Sequence, residues 1–366
     1  MKKRILYILH YPPPVHGSSV VGLQIKESIT INADYDARYI NLGTSKSIDE
    51  IQKFTFSKIF SYLSILIQVS KNLITHRPDL CYLAITAEGV PFYKDAIIVL
   101  LIKLFRVKLI YHLHNKGVKN RQDKILDDLL YRFVFKNTDV ILLSSYLYPD
   151  IQKYVPLSAV HYCPNGIKTF ENTITQERED DHIEILFLSN MIKSKGVLTL
   201  LEACKILKER NIYFHCTFIG GSGDITEEEF QEQVTEKGLD AFVNFVGKKL
   251  GKEKTDLLAK ANIFVLPTYY EKECFPLVLL EAMQANLPIV STYEGGIPDI
   301  VEEGSTGYLV SQKDSASLAE KIALLIQNKK LRVDLGENGR KRYEQNFTLQ
   351  HFEQKLTSIL KQVISF

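Results

Sequence analysis

The sequence predicts an α/β protein built from two doubly wound, mostly parallel sheets, and three observations predict it. The chain has 366 residues, and a domain usually takes roughly 100–200. Short β-rich runs alternate with helical periods in both halves, the pattern of βαβ units. Between the halves, Pro164-Asn165-Gly166 is a turn signal, and residues 169–181 are polar with little apolar period, which reads as a linker.

In the first half, strands are expected at 4–10, 35–41, 80–84, 108–113, 140–143 and 159–162, with helices at 18–30, 57–75, 91–105 and 124–136. In the second half, strands are expected at 183–189, 213–219, 243–246, 263–266, 288–291 and 307–310. Helices fit 197–210, 226–237, 252–260, 277–285 and 315–328, and residues 331–366 read as helix in two or three pieces. We place one domain at 1–167 and the second at 168–347, with a final helix at 348–366 packing back on the first. Ligands of such sheets bind outside the carboxyl ends of the strands. In a two-domain chain those ends can face each other across a cleft, so strand-to-helix turns carry the functional weight.

Composition excludes several classes. Hydrophobic residues make up 45% and charged residues 24%, which is not the composition of a disordered chain. The formal net charge is +2, short of the basic excess of a nucleic-acid binder. The five cysteines are scattered and never form Cys-x-x-Cys, so neither a disulfide framework nor a zinc site is expected. The first apolar run is short and meets Pro12-Pro13-Pro14 at once, unlike a signal peptide. The longest one, 96–109, is interrupted by Lys103, Arg106 and Lys108, too early for the roughly 20 apolar residues of a membrane span. A cytoplasmic protein is expected, touching the inner face of a membrane at most.

The strongest motif runs from Tyr270 to Met283. It follows a predicted strand and opens a helix, with Pro276 suited to the first helical turn. Glu273 precedes the helix and Glu281 is expected about two turns in, roughly 10 Å away. That separation spans a sugar ring, a diphosphate and a ribose, and the helix amino end between them offers N–H groups to an anion. Alone, the block also reads as an amphipathic helix with two surface glutamates. A second strand end, Ser189-Asn190-Met191-Ile192-Lys193-Ser194-Lys195-Gly196, places Lys195 where it can neutralise a phosphate; Lys193 reads as solvated.

With these blocks the chain resembles the retaining, nucleotide-sugar-dependent glycosyltransferases of GT-B fold, the large group with sucrose synthases and phosphatidylinositol mannosyltransferases. The resemblance covers nearly the whole chain. Its most specific parts are Glu273 to Glu281, Lys195-Gly196, and Gly295-Gly296-Ile297-Pro298-Asp299 with Gly304 and Gly307. It implies two Rossmann-like domains, the first on the acceptor side and the second binding the donor. It also implies donor-sugar contact by Glu273, ribose contact by Glu281, and diphosphate contact by Lys195 and by the helix start at Phe275, Pro276 and Leu277. His114, closing the strand 108–113, would face the donor sugar, and Gly17, in the loop before the first helix, the phosphates. Gly247 would lie along the base, and the glycine-rich turn from Gly220 to Asp224 beside the nucleotide. Two departures stand out. The family's Gly-Arg is Ser189-Asn190 here, so Asn190 donates a hydrogen bond without charge. Its Glu-Gly-Phe-Gly is Glu273-Cys274-Phe275-Pro276, and Pro276 lacks an N–H.

Asp34-Tyr35-Asp36 matches the metal-binding Asp-x-Asp of other glycosyltransferases but precedes a strand, the wrong end of the sheet, and reads as a solvated turn. His112 and His114 share a strand face, so a metal pair is conceivable, and a core role fits His112 better. No metal or cofactor is expected beyond the nucleotide-sugar substrate. The expected activity is metal-independent transfer of a hexosyl or N-acetylhexosaminyl group, with retention, from a UDP-sugar. The acceptor would be a saccharide or lipid-linked saccharide in surface polysaccharide or lipopolysaccharide synthesis. The alternatives are a non-catalytic nucleotide-sugar or saccharide binding protein and a sugar-nucleotide epimerase. Basic residues beside apolar faces at 91–108 and 54–71, including Lys53, Phe54, Lys103 and Arg106, suggest an anionic membrane surface as a further partner.

Overall fold

The structure, a computed structural model, describes residues 2–43, 56–170 and 182–365. Lys53, Phe54 and residues 171–181 of the expected linker lie outside the described residues. The chain divides into two compact units, Met1–Asn165 with Gln350–Phe366, and Gly166–Leu349.

The first unit holds β1 (Lys3–Leu9), β2 (Tyr35–Asn41), β3 (Leu80–Leu83), β4 (Lys108–Leu113), β5 (Asp139–Leu142) and β6 (Val160–Tyr162). They form one parallel sheet in the order β2-β1-β3-β4-β5-β6. β3, and β1 from Ile5 to Leu9, are unbroken buried apolar runs, as in a parallel sheet covered on both faces. The strand order turns around between β1 and β3, so the ligand crevice belongs at their carboxyl ends, beside the end of β4.

The second unit holds β7 (Glu184–Leu188), β8 (His215–Ile219), β9 (Val243–Phe245), β10 (Ile263–Val265), β11 (Ile289–Thr292) and β12 (Gly307–Val310). Its sheet is also parallel, in the order β12-β11-β10-β7-β8-β9. Here the order turns around between β7 and β10. The loops leaving those two strands, 189–196 and 266–276, therefore border the crevice.

Two local departures from the expected elements have clear causes. The helix expected over 18–30 breaks at Ser28, whose Oγ accepts from the Ile31 N–H at 3.0 Å and starts a separate turn, Ile29–Asn32. The C-terminal stretch is helical in two pieces, as expected, Lys329–Asn346 and Leu349–Ser365. Between them the Phe347 carbonyl accepts from Ile167 N at 3.0 Å and Leu349 N donates to Ile167 O at 2.8 Å, so these backbone groups leave the helical ladder. Short helices at Val118–Arg121, Tyr148–Ile151 and Ile297–Ile300 were not expected, being too brief to show a period.

Asp34 and Asp36 stand at the amino end of β2. Asp34 pairs with Lys361 at 2.7 Å and Asp36 lies 3.6 Å from His76, remote from the carboxyl-end crevice.

Candidate functional site

In the second unit, the loops after β7 and β10 are bonded to each other. Tyr269 N donates to Ser194 O at 2.7 Å. Gly196 has φ of 89°, and a Cβ there would stand 2.2 Å from Pro267 O. Only glycine lets the two loops approach this closely. The turn delivers Lys195, whose Nζ donates to Glu273 Oε2 at 2.5 Å and sits 4.6 Å from the Tyr270 ring centre. Glu273 is 8% exposed, so the ammonium offsets a carboxylate that would be costly to bury alone.

Glu273 is fixed from behind. Its N–H donates to Tyr270 O at 2.7 Å, and Gly296 N donates to Cys274 O at 2.6 Å. Gly295 has φ of 54°, and a Cβ there would lie 2.2 Å from Glu273 O. The paired glycines thus let β11's turn press against the Glu273 backbone. Phe275 and Pro276 are buried, and Pro276 is the N-cap of the helix Leu277–Gln284 rather than a residue of its first turn. The helix starts at Leu277, so Glu281 is its fifth residue, just over one turn in and not two. The first N–H groups of that helix have no intrahelical acceptor.

Glu281 Oε1 accepts from Lys254 Nζ at 2.7 Å, while Oε2 is buried with no hydrogen-bond partner. Lys254 belongs to the helix Gly251–Lys260. Asn190 is exposed, and its Oδ1 would lie 3.3 Å from a Cβ on Gly221. Gly221 O accepts from Met191 N at 2.9 Å, and Gly220 N donates to Gly247 O at 3.1 Å. Asn190, Gly221 and Gly247 therefore lie on neighbouring loops at the carboxyl ends of β7, β8 and β9. Gly247 has φ of 70° and open space beside it.

In the first unit, the crevice gathers histidines. His16 caps the helix Gly17–Glu27: its Nδ1 lies 3.0 Å from Ser18 Oγ and accepts from Ser19 N at 3.4 Å. Gly17 is exposed, with nothing within 4 Å of a built Cβ. The His10 and His16 rings are 5.9 Å apart, and His112 and His114 are 4.1 Å apart. Burial, then the nearby His10 and His16, lower the pKa of His114 to about 3. Burial, then His16, lower that of His10 to about 4. His112 is fully buried, bonded through Nδ1 to the Tyr82 hydroxyl, with Nε2 unpartnered. Burial also depresses its pKa strongly. Imidazoles held neutral keep one N–H donor and one acceptor each. Among the described residues, no group of three or more His, Cys, Asp or Glu side chains is placed to hold a metal ion.

The same unit carries an apolar outer face. Helix Phe56–Thr75 packs on helix Gly89–Leu104, which packs on helix Ile125–Phe135. Phe56, Phe60, Leu63 and Ile67, then Val90, Ile97, Leu100 and Leu104, then Ile125, Leu126, Leu129 and Phe133 are all exposed. Phe92, by contrast, is core. Lys103 Nζ donates to Phe133 O at 2.6 Å and Lys136 O at 2.8 Å, so it caps the third helix rather than facing outward. Among the described residues no helix is long and apolar enough to cross a membrane.

Glu273 and Lys195, which the resemblance assigned to the sugar and the diphosphate of the donor, are brought together. Lys254 and His10 were not foreseen, and Tyr270, which opens the strongest motif, had been given no role. Lys254 lies 27 residues from Glu281 on another helix, and only the strand order between them could have pointed to it.

Two parallel six-stranded sheets with these crevices have the GT-B glycosyltransferase fold. Residues 169–342 match the family Glycosyl transferases group 1, and this stretch is a group 1 domain. The chain is similar to the amylovoran biosynthesis glycosyltransferase AmsK of Erwinia amylovora, 31% identical over 185 residues, 50% of this chain and 45% of that one. It spans about half the length of the first curated relatives it matches. Its fold follows sucrose-phosphate synthase from Thermosynechococcus elongatus, with TM-score 0.77, 18% identity and 100% of both chains covered. It also follows Anabaena HepE in complex with UDP and glucose, with TM-score 0.74 and 17% identity over 99% of this chain and 100% of that one.

Proposed function

We propose that this protein is a retaining glycosyltransferase that moves a hexosyl or N-acetylhexosaminyl group from a UDP-sugar to a saccharide or lipid-linked saccharide. The observation that carries the reading is the second unit's crevice. Lys195 and Glu273 pair at 2.5 Å beside a helix amino end, and Glu281 keeps a buried, unpartnered oxygen. A bound donor would draw Lys195 from Glu273 to the diphosphate, freeing Glu273 to accept from sugar hydroxyls, while Glu281 accepts from the ribose. Lys195, Asn190 and the amides at Leu277 stabilise the charge that develops on the leaving diphosphate. Phe275 and Pro276 set where that helix begins, and Gly247 leaves room along the base. His114 and Gly17 enter the reading only through the family resemblance, as contacts of the sugar and of a phosphate. The acceptor attacks from the face the diphosphate leaves, and the diphosphate takes its proton.

UDP is supported by the HepE complex, and a surface-polysaccharide acceptor by the amylovoran enzyme. The apolar three-helix face supports peripheral attachment to the inner face of an anionic membrane, where a lipid-linked acceptor resides. The fixed cations Lys195 and the helix end take the part of a metal, so activity should survive EDTA. Complete loss, rescued by manganese or magnesium, would overturn metal independence.

The test is incubation of purified protein with a panel of nucleotide sugars. Slow hydrolysis of one donor with release of its nucleoside diphosphate is expected. Binding without hydrolysis marks a binding protein, and an altered sugar still joined to the nucleotide marks an epimerase; either outcome defeats the proposal.

A further inference from the structure

The helix Gly251–Lys260 has three lysines, Lys252, Lys254 and Lys260. Lys252 pairs within the helix, with Asp256 at 2.6 Å, on an exposed face. Lys254 instead reaches across to Glu281 Oε1 at 2.7 Å, with side chains only 22% and 16% exposed. The carboxylate is thereby held by one oxygen, and its other oxygen is buried without a partner. A buried acceptor left open costs free energy unless something fills it. The helix carrying Lys254 begins just beyond the Gly247 turn, and the helix carrying Glu281 begins at the crevice between β7 and β10.

We infer that Lys254 is a positioning residue: it fixes Glu281 Oε1 so that Oε2 is presented to the vicinal hydroxyls of a ribonucleoside diphosphate, and so sets the preference for ribose. This rests on the reading of Glu281 as the ribose acceptor. An ammonium on one oxygen stops the carboxylate from rotating and offsets its desolvation, leaving the free lone pairs in one direction. Without it the carboxylate turns towards solvent, and a missing ribose hydroxyl costs little. An ion pair that merely ties two helices together would lower stability and leave the ribose preference untouched.

The experiment compares binding of UDP, GDP and ADP, each with its 2′,3′-dideoxy counterpart, by calorimetry on the full chain. Wild type should bind the preferred ribonucleotide at least about tenfold tighter than its dideoxy form. In Lys254→Met that ratio should fall to about threefold or less, and Lys254→Arg should restore most of it. Should Lys254→Met not fold, Lys254→Gln is read in the same way. A neutral variant that keeps the wild-type ratio, whatever its thermal midpoint, overturns the role of Lys254 and leaves the Glu281 reading standing. Wild type that ignores the ribose hydroxyls, or binds none of the three nucleotides, overturns both.

Discussion

Glu273 and Glu281 are each held by a lysine from a different element, Lys195 and Lys254, and each pairing has its own consequence. Glu281→Ala removes a charged acceptor and should weaken nucleoside diphosphate binding by about 1.5–3 kcal/mol. Glu273→Ala should depress turnover far more than it weakens UDP binding, because its proposed partners are on the sugar. Calorimetry with UDP beside initial rates with the UDP-sugar separates the two, and equal UDP affinity in Glu281→Ala and wild type would refute the assignment. The histidines give a pH prediction. Burial holds the pKa of His114 at about 3 and that of His10 at about 4, below the ordinary histidine value of 6.5. Between those limits the unfolded chain binds more protons than the folded one, so stability is complete above about pH 6.5 and falls as pH drops towards 4. Urea midpoints should decline from pH 7 to pH 5, and His114→Asn with His10→Asn should flatten the decline. An equal slope in wild type and variant would show that these imidazoles do not carry it.

The two glycines at loop-to-helix junctions serve different purposes, and substitution separates them. Gly196 has φ of 89° and backbone 2.2 Å from a built Cβ, so Gly196→Ala should cost at least about 2 kcal/mol in chemical denaturation. Gly17 has no neighbour within 4 Å of its built Cβ. Gly17→Ala should leave the denaturation midpoint nearly unchanged while weakening donor binding, if a phosphate approaches that backbone. Destabilisation by Gly17→Ala, or its silence in binding, would return the residue to a purely structural role. The elements that frame these turns were legible where they were long. The strand at 108–113 and the helix at 277–285 came close to their observed bounds because apolar periodicity is a local property. The depth of Glu281 was misjudged although the helix start was not: counted from Leu277 it is the fifth residue, and only counting from Glu273, ahead of the helix, gives about two turns.

Across the whole molecule, exposed apolar surface is uneven. Among the described residues, the three adjacent helices of the first unit carry fourteen of the exposed large hydrophobics, more than solubility alone would leave. Helix Phe56–Thr75 has no acidic residue, and the only one on Gly89–Leu104, Asp95, is buried. On the third helix, Asp127 and Asp128 pair with Arg121 and with Arg132 and Lys153. Such a face suits an anionic bilayer, where each nearby basic residue adds about 1 kcal/mol. Salt-sensitive sedimentation with anionic liposomes is expected. It should fall in Leu126→Ser with Leu129→Ser, and in Arg106→Glu. Lys103→Glu should instead destabilise the fold, since Lys103 caps a helix. Wild-type protein left wholly in the supernatant at low salt would refute membrane attachment.

The sequence by itself determined the α/β class, the alternation of elements, and the turn motifs that bear Lys195, Glu273 and Glu281. Each of these depends on residues close together in the chain, through periodicity, helix starts and glycine turns. Only the tertiary structure decided which carboxylate each lysine meets, that His10 joins His16 and His114, and that Ile125–Phe135 extends the apolar face. Those outcomes follow from strand order and helix packing. They join residues tens of positions apart, and no local pattern encodes such pairings.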